Sequence, residues 1–584
     1  VRRLRGPPAP APRHATLAAM LSAAARHPSG VTFVGLREDE VRLSWAEVDG
    51  RARRAAGALV ARGIRPGDRV AIVLRTEPAF LDAFFGALHA GAVPVPLYPP
   101  VRLGRMDEYA EATARMLRVS GARALVTSGS VARVLGRAVA AAGPALDLGV
   151  VDAAGLAEGE ETSIDRGASD LALVQFSSGS TVDPKPVALT HASLAAQVEA
   201  LVALIGPTAA DVLVSWLPLY HDMGLIGCLL GAVSYPGPLV LIAPEHFLAR
   251  PSLWLRALAR HRGTISAAPH FAYAYAADRV RDAELAGLSL ASWRIALDGA
   301  EPVTAGALHR FAARFSPFGL DPGSLMPVYG LSEASLAVTF CPRGRPPLAE
   351  RIDPAALRSG QVSPGEREVV SVGAPIPGVE VEVRGEDDEA LPERRLGRIH
   401  VRGPSLMQGY LGDPAASARA LRDGWLDTGD LGFHAGGELF VHGRAKDLVI
   451  VRGANHAPEE FEACLAGVEG LRPGCAVALG FLPEGGDVEE LLVLAERTRG
   501  VRGPGTALEQ AVRDAVSSRT GVLPHTVRIL EPGTLPRTSS GKMRRGEALR
   551  RFQAGKLLPP RKVNVLSLAR EVLAGRLARA RARR

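Results

Sequence analysis

Val174-Gln-Phe-Ser-Ser-Gly-Ser-Thr-Val-Asp-Pro-Lys185 starts as an apolar run and turns abruptly into hydroxyls, a glycine and a lysine. That change predicts a buried strand feeding a polar loop. Backbone N–H groups, hydroxyls and an ammonium gathered just past a strand end suit a polyphosphate. The spacing does not match G-x-x-x-x-G-K-[ST], so the segment is not that phosphate loop. Alone, it reads more readily as a polar surface turn.

On both sides of this stretch, short β-branched runs alternate with longer Ala/Leu-rich helical patterns. Upstream, Arg69–Leu74 reads as a strand, Pro78–Ala90 as a helix, and Ala92–Leu97 and Ala124–Thr127 as further strands. Downstream, strand-like runs recur at Val212–Trp216, Leu239–Ile242, Thr264–Ala267 and Arg294–Leu297. The cadence predicts an α/β chain whose large N-terminal domain, 15–443, holds layered, largely parallel sheets. Within it, Cys341–Val370 is dominated by Pro, Gly, Arg and Glu with no clear strand, so 341–370 reads as an insertion or long loop. A junction follows the strand-like Glu438–His442, near Gly443-Arg-Ala-Lys446. Residues 447–555 have their own strands, at Asp447–Val451, Ala476–Leu479 and Leu491–Leu494, enough for a smaller, mobile α+β C-terminal domain hinged at 444–446.

The 584 residues are 47% hydrophobic and 22% charged, which excludes a disordered chain. The net charge of +8 sits at the ends. Four arginines fall in the basic N-terminal extension, 1–14, and nine basic residues face one acid, Glu571, in the tail 556–584, which reads as a basic helix from Val563. The body between is net negative, so a nucleic-acid partner is not expected. Four scattered cysteines, Cys228, Cys341, Cys464 and Cys475, form no C-x-x-C pair, which points to a reducing cytoplasm. Gly6-Pro-Pro-Ala-Pro10 interrupts any signal-peptide core. Gly224–Pro244 is uncharged but broken by Pro236-Gly-Pro238, so it predicts a buried helix, turn and strand, not a membrane span.

Other segments carry potential chemistry, and each has a plainer reading. His221-Asp222 lies in Ser215-Trp-Leu-Pro-Leu-Tyr-His-Asp-Met-Gly-Leu225; adjacent residues rarely orient one another as a triad does, so His221 reads as a packed or substrate-lining group. Asp298-Gly-Ala-Glu-Pro302 and Tyr329-Gly-Leu-Ser-Glu333 each follow a strand-like run and offer a carboxylate for Mg²⁺ or a ring for stacking. Asp423-Gly-Trp-Leu-Asp-Thr-Gly-Asp430 places an Asp in a tight turn, able to accept two ribose hydroxyls. Gly443-Arg-Ala-Lys-Asp447 adds cations. Pro536-Arg-Thr-Ser-Ser-Gly-Lys542 displays a lysine ahead of a basic helix, Met543–Phe552.

In this order, the set resembles the adenylate-forming superfamily of acyl-CoA synthetases, non-ribosomal adenylation domains and luciferases over roughly 15–555. Pro96-Leu-Tyr-Pro-Pro100, Trp216–Leu225, Ala268-Pro-His-Phe-Ala-Tyr273, Gly299-Ala-Glu-Pro-Val303 and Val451-Arg-Gly-Ala-Asn-His456 look most like the fatty acyl-AMP ligases, which also carry an insertion where 341–370 falls. The resemblance implies a fatty acid and ATP giving acyl-adenylate and pyrophosphate, then transfer to a thiol, in a monomeric cytoplasmic enzyme. It implies that Lys542 is catalytic, bridging the fatty carboxylate and the α-phosphate. ATP or AMP contacts fall to Ser177, Ser178, Gly179, Ser180, Thr181, Lys185, Gly299, Ala300, Glu301, Tyr329, Gly330, Ser332, Asp430 and Arg444. Glu333 and Ser177 would hold Mg²⁺; His221, Asp222, Gly224 and Phe271 would bind the acyl substrate; Lys446 would be the hinge. The acceptor is an acyl carrier protein with a phosphopantetheine arm or, alternatively, free CoA. Where that family usually has glycine, this chain has Val182 and Pro186. Val resists φ > 0 and Pro removes an N–H, which leaves a non-catalytic binding relative as a further alternative.

Overall fold

The computed structural model describes residues 2–100, 105–143, 146–177, 184–451, 454–483, 488–500, 505–538 and 542–560. A sixteen-stranded mixed sheet organises the larger part of the chain. Its first half is built from Gly30–Val34, Leu239–Ile242, Leu213–Ser215, Ile265–Pro269, Ile295–Gly299 and Leu325–Gly330, paired in parallel in that order. These are short apolar runs; Leu239–Ile242 and Ile265–Pro269 are buried at every position, as strands covered on both faces must be. A second sheet of Val93–Pro96, Arg69–Val73, Ala122–Thr127 and Gly149–Asp152 is also parallel.

The α/β class therefore holds, but parallel pairing stops at Gly330. Ala337–Phe340, Arg367–Pro375, Glu438–Arg444, Trp425–Ala435, Gly397–Arg402 and Glu380–Arg384 continue the same sheet in antiparallel register. The edge strand is Leu4–Arg5, with Leu4 opposite Val381. Residues 2–14 of the expected extension are thus no appendage to the body. Arg3 pairs with Glu382 and Glu380, Arg5 with Glu380, and Arg13 reaches Glu199 at 2.9 Å, so three of the head's four arginines meet acids of the fold. The tail helix expected from Val563 lies outside the described residues.

Segment 341–370 also differs from the expected loop. Ala349–Ile352 pairs antiparallel with Arg367–Val370, and Asp353 caps a short helix, Pro354–Arg358. The charges that hide the strand from a hydrophobic pattern face one another across the ladder, Arg351 opposite Glu368 at 3.2 Å. Ile352, Leu357, Val362 and Val369 pack under the stacked rings of Phe433 and Phe440. On the far side, Arg358 and Arg367 approach Glu460 at 4.0 and 3.7 Å.

Beyond residue 447 the chain forms its own small layer. Leu471–Phe481, Glu490–Arg497 and Thr526–Leu530 make a sheet over Gly505–Thr520, with Phe461, Leu491, Val493, Val512, Val516 and Val527 as a separate core. Arg545–Gln553 is the helix that follows Lys542. The smaller unit touches the larger one through Arg551–Glu108, at 2.7 Å, and through Arg105, which donates to the carbonyls of Gly533 and Thr534. The window 224–244 resolves into a π-helical turn Met223–Leu230, a short helix Gly231–Ser234 and the strand Leu239–Ile242. Among the described residues no helix is long and apolar enough to cross a membrane. All four cysteines are free and buried.

Candidate active site

The opening segment becomes a hairpin. Leu171–Phe176 pairs with Pro186–Thr190, and its neck is closed by the Ser177 N–H donating to the Lys185 carbonyl at 2.9 Å. The Lys185 N–H in turn donates to Ser177 Oγ at 3.3 Å. Ser178, Gly179, Ser180, Thr181 and Val182 lie outside the described residues. Pro186 opens the second strand, a position that tolerates proline, and its carbonyl accepts from Leu411 N–H at 2.8 Å. It does not line the cavity described below, so no cavity-facing N–H is lost there.

Three parallel strands deliver the neighbouring groups at their C-terminal ends, where α/β sheets bind ligands. Ile265–Pro269 leads to His270 and Phe271, Ile295–Gly299 to Ala300 and Glu301, and Leu325–Gly330 to Ser332 and Glu333. A Cβ on Gly299 would sit 2.9 Å from the Val328 carbonyl, so the strands meet closely there. Ala300 holds φ +66°, uncommon for a residue with a side chain. Glu301 accepts from Phe271 N–H at 2.9 Å, tying two strand ends together. His270 bridges Asp298 at 2.7 Å and Thr304 at 2.8 Å on the same rim.

Asp430 is not in a turn. The turn is at Asp423-Gly424, both with positive φ, and Asp430 lies within the strand Trp425–Ala435, opposite Arg444. Glycines at 424 and 429 gave this strand the composition of a loop. Tyr329 donates its hydroxyl to Asp430 Oδ2 at 2.6 Å and Arg444 Nε lies 3.1 Å from Oδ1, so three groups expected to contact nucleotide form one cluster. Burial raises the Asp430 carboxyl, partly offset by Arg444 and Tyr329. Burial, then Asp430, push the Tyr329 phenol well above its usual range.

His221 Nδ1 stands 2.7 Å from Asp222 Oδ1, and Ser332 Oγ donates to Asp222 Oδ2 at 2.5 Å. Burial works against the Asp222 charge, but His221, Ser332 and Lys542 together hold the carboxyl well below its usual range. Among the described residues His221 Nε2 is buried without a hydrogen-bond partner. Burial lowers the Lys542 ammonium, opposed mainly by Asp222 and Glu301. Lys542 is anchored through its backbone, its N–H donating to Thr538 Oγ1 at 3.0 Å.

Ser177, Lys185, His221, Asp222, Ala300, Tyr329, Gly330, Ser332, Glu333, Arg444, Lys446 and Lys542 line one cavity of about 710 Å³. Glu301, Gly299 and Asp430 adjoin it through Ala300, Thr428 and Gly429, which do line it. Gly224, where a Cβ would meet the Pro218 carbonyl at 2.4 Å, and Phe271, whose ring packs 6.1 Å from Trp216, shape the site rather than line it. The same cavity also has hydrocarbon walls. Leu201 and Ile205 project from the helix His191–Ile205, which Thr190 and Ser193 cap reciprocally; Gly227 and Cys228 come from the π-helical turn, and Ile265 and Leu297 from the sheet. Lys446 lies in the short turn Ala445–Asp447.

Two features go beyond the residues that the sequence reading names. One is the apolar tail, whose walls come from elements far apart in the chain. The other is Tyr410, on the two-residue strand Gly409–Tyr410 that pairs with Val187 and Ala188. Its hydroxyl donates to Glu333 Oε1 at 2.9 Å and its ring lies 4.4 Å from Lys185 Nζ. Burial raises the Glu333 carboxyl, while the hydrogen bond from Tyr410 lowers it. Among the described residues no cluster of three or more His, Cys, Asp or Glu could hold a metal, so a metal here would depend on ligands brought by substrate.

A family model described as AMP-binding enzyme matches residues 21–411. A putative acyl-CoA synthetase from Caulobacter vibrioides is 36% identical over 558 residues, covering 92% of this chain and 96% of that protein. The long-chain-fatty-acid–AMP ligase FadD26 of Mycobacterium marinum is 33% identical over 543 residues, covering 88% and 91%. A solved structure from studies of the fatty acyl-adenylate ligases of E. coli and L. pneumophila superposes with a TM-score of 0.88 at 33% identity, covering 94% of this chain and 99% of that one.

Proposed function

The chain belongs to the AMP-binding enzyme family, and from that premise we propose that it activates a fatty acid with ATP, forming fatty acyl-adenylate and releasing pyrophosphate. The phosphopantetheine thiol of an acyl carrier protein then attacks the acyl carbonyl, forming the thioester as the acyl–phosphate bond breaks and AMP leaves. One observation carries the reading: Lys185, Glu333, Arg444 and Lys542 line the same cavity as Leu201, Ile205, Gly227, Cys228 and Ile265. Such a cavity accepts a polyanion beside its charged groups and an alkyl chain along its apolar walls.

In the reaction a carboxylate oxygen attacks the α-phosphorus as the bond to pyrophosphate breaks, so positioning and charge neutralisation supply most of the catalysis. The alkyl chain occupies the apolar end and brings the carboxylate to His221 and Lys542. The Lys542 ammonium sits between carboxylate and α-phosphate and neutralises the charge gathering there. Lys185 and the loop after Ser177 hold the β- and γ-phosphates. Tyr329 flanks the adenine near Ala300, Asp430 takes the ribose hydroxyls once Tyr329 shares its oxygen, and Arg444 fixes the nucleotide. Ser177 and Glu333 are hard oxygen donors on one cavity wall, a set that suits Mg²⁺ retaining phosphate ligands; bound there, it would shield the β/γ charge. Transfer to the thiol follows a rotation of residues 447–555 about Lys446. Free, buried cysteines suit a reducing cytoplasm.

Free CoA as acceptor is the second reading, favoured by the name of the C. vibrioides relative. The contacts of Arg358 and Arg367 with Glu460 favour the carrier, because they tie 341–370 to the part that must rotate. Mass spectrometry of products from a fatty-acid panel with ATP, with and without CoA, tests both. The expected result is acyl-AMP indifferent to CoA, with pyrophosphate release falling at least about a hundredfold in Lys542→Ala. No pyrophosphate with any chain length, or release unchanged in Lys542→Ala, overturns the proposal; efficient acyl-CoA formation overturns the carrier reading alone.

A further inference from the structure

We propose that Tyr410 is a positioning residue that holds the phosphate-loop lysine and the metal-side carboxylate in register: its ring face seats the Lys185 ammonium and its hydroxyl fixes Glu333. The inference rests on the reading above, in which Lys185 meets phosphate and Glu333 meets Mg²⁺.

The backbone makes Tyr410 a bridge between these two groups. Gly409–Tyr410 adds a third strand to the Lys185 hairpin, with Tyr410 opposite Val187, and Leu411 N–H donates to the Pro186 carbonyl at 2.8 Å. Three residues earlier, Met407 N–H donates to the Glu333 carbonyl at 2.8 Å. Tyr410 N–H itself donates to Ser417 Oγ at 2.8 Å, which fixes the residue from a third side. The side chain then reaches both partners, 4.4 Å from Lys185 Nζ to the ring centroid and 2.9 Å from hydroxyl to Glu333 Oε1.

The chemistry of the two contacts explains why a tyrosine suits this position. Among the described residues Lys185 makes no ion pair with a carboxylate. A carboxylate partner would cancel the charge that phosphate needs, whereas a neutral ring holds an ammonium and leaves the charge intact. The phenol is one-sided in the opposite sense: it donates one hydrogen bond to Oε1, which sets the carboxylate orientation without adding a cation that would repel a metal.

Phe and Leu substitutions separate the two contacts. Tyr410→Phe keeps the ring under Lys185 and removes the hydrogen bond; Tyr410→Leu removes both. Calorimetric binding of ATP to the full chain, without fatty acid and across a Mg²⁺ series, reads each contact without turnover, with thermal melts confirming folded protein. The expected result for Tyr410→Phe is a half-saturating Mg²⁺ concentration raised about tenfold, with ATP affinity at saturating metal within about twofold of wild type. Tyr410→Leu adds a loss of about three- to tenfold in ATP affinity at saturating metal. Two controls isolate the premise. If Glu333→Gln shifts the Mg²⁺ series and Lys185→Ala weakens ATP while both Tyr410 variants match wild type, the Tyr410 inference is overturned and the site reading stands. If Phe and Leu lose the same amount in the same parameter, the separation of roles is overturned. If Glu333→Gln leaves the Mg²⁺ series unchanged, the metal reading falls and Tyr410's proposed role falls with it.

Discussion

Filling Gly227 should shorten the fatty acids this protein accepts. Gly227 lies in the π-helical turn Met223–Leu230 and contributes bare backbone to the apolar end of the cavity, beside Cys228 and opposite Leu336. A Cβ there would stand 2.9 Å from Leu336 Cδ2, the far end of a flexible side chain that also lines the cavity. The fold can absorb that contact by rotating Leu336, but the rotation consumes the same space. Gly227→Ala therefore removes room for about one methylene and Gly227→Val for about three, at about 0.8 kcal/mol each. Dividing by about 1.4 kcal/mol per decade gives losses of roughly fourfold and roughly 50-fold in kcat/KM, confined to chains long enough to reach residue 227. Pyrophosphate release measured over fatty acids of increasing length gives the profile. The expected outcome is an unchanged rate for short acids and a decline that begins at one length and steepens from Ala to Val. A uniform loss across all lengths would mean that Gly227 serves the helix, not the tunnel. An unchanged profile would mean that the alkyl chain lies elsewhere, which refutes the assignment of the apolar end.

Two further outcomes test the frame and the hinge. Asp49 accepts from His89, Arg53 and Ser22 at 3.1, 2.8 and 3.0 Å; burial opposes its charge, but these partners hold its carboxyl down at about 2. A depressed carboxyl stabilises the fold above its unfolded value near 4, so Asp49→Asn should lose about 2 kcal/mol at pH 7, and the difference should shrink as pH falls from 4 towards 2; denaturant melts at several pH values check the sign. Arg358→Ala with Arg367→Ala removes the ties from 341–370 to Glu460, so acyl-CoA formation should rise a few-fold, the scale of partly exposed ion pairs, with acyl-AMP formation unchanged. A double variant with no more acyl-CoA than wild type would show that these contacts do not restrain transfer.

What the sequence makes legible here is whatever is decided locally. Leu239–Ile242 falls where its apolar run predicts, because a strand buried on both faces must be continuously hydrophobic. The antiparallel half is harder to read. Leu4–Arg5 is too short for any period, and Ala349–Ile352 keeps its place through charges paired across the ladder, so only the partner strand reveals it. The same division runs through the site. Lys185, Glu333 and Lys542 announce themselves because each rides a local motif of strand end and small-residue loop. Tyr410 follows an unremarkable Met407-Gln-Gly run, and its meaning arises only when the sheet sets it against Val187, some two hundred residues earlier. The apolar tail goes further: Leu201, Gly227, Ile265 and Leu297 are each ordinary positions in the sequence, and only the packed molecule sets them around one cavity, with Leu336 reaching towards the bare backbone of Gly227. A substrate's charged end is written in motifs, since ions need particular atoms. Its alkyl end is written in volume, which belongs to the packed molecule and to no one segment of the chain.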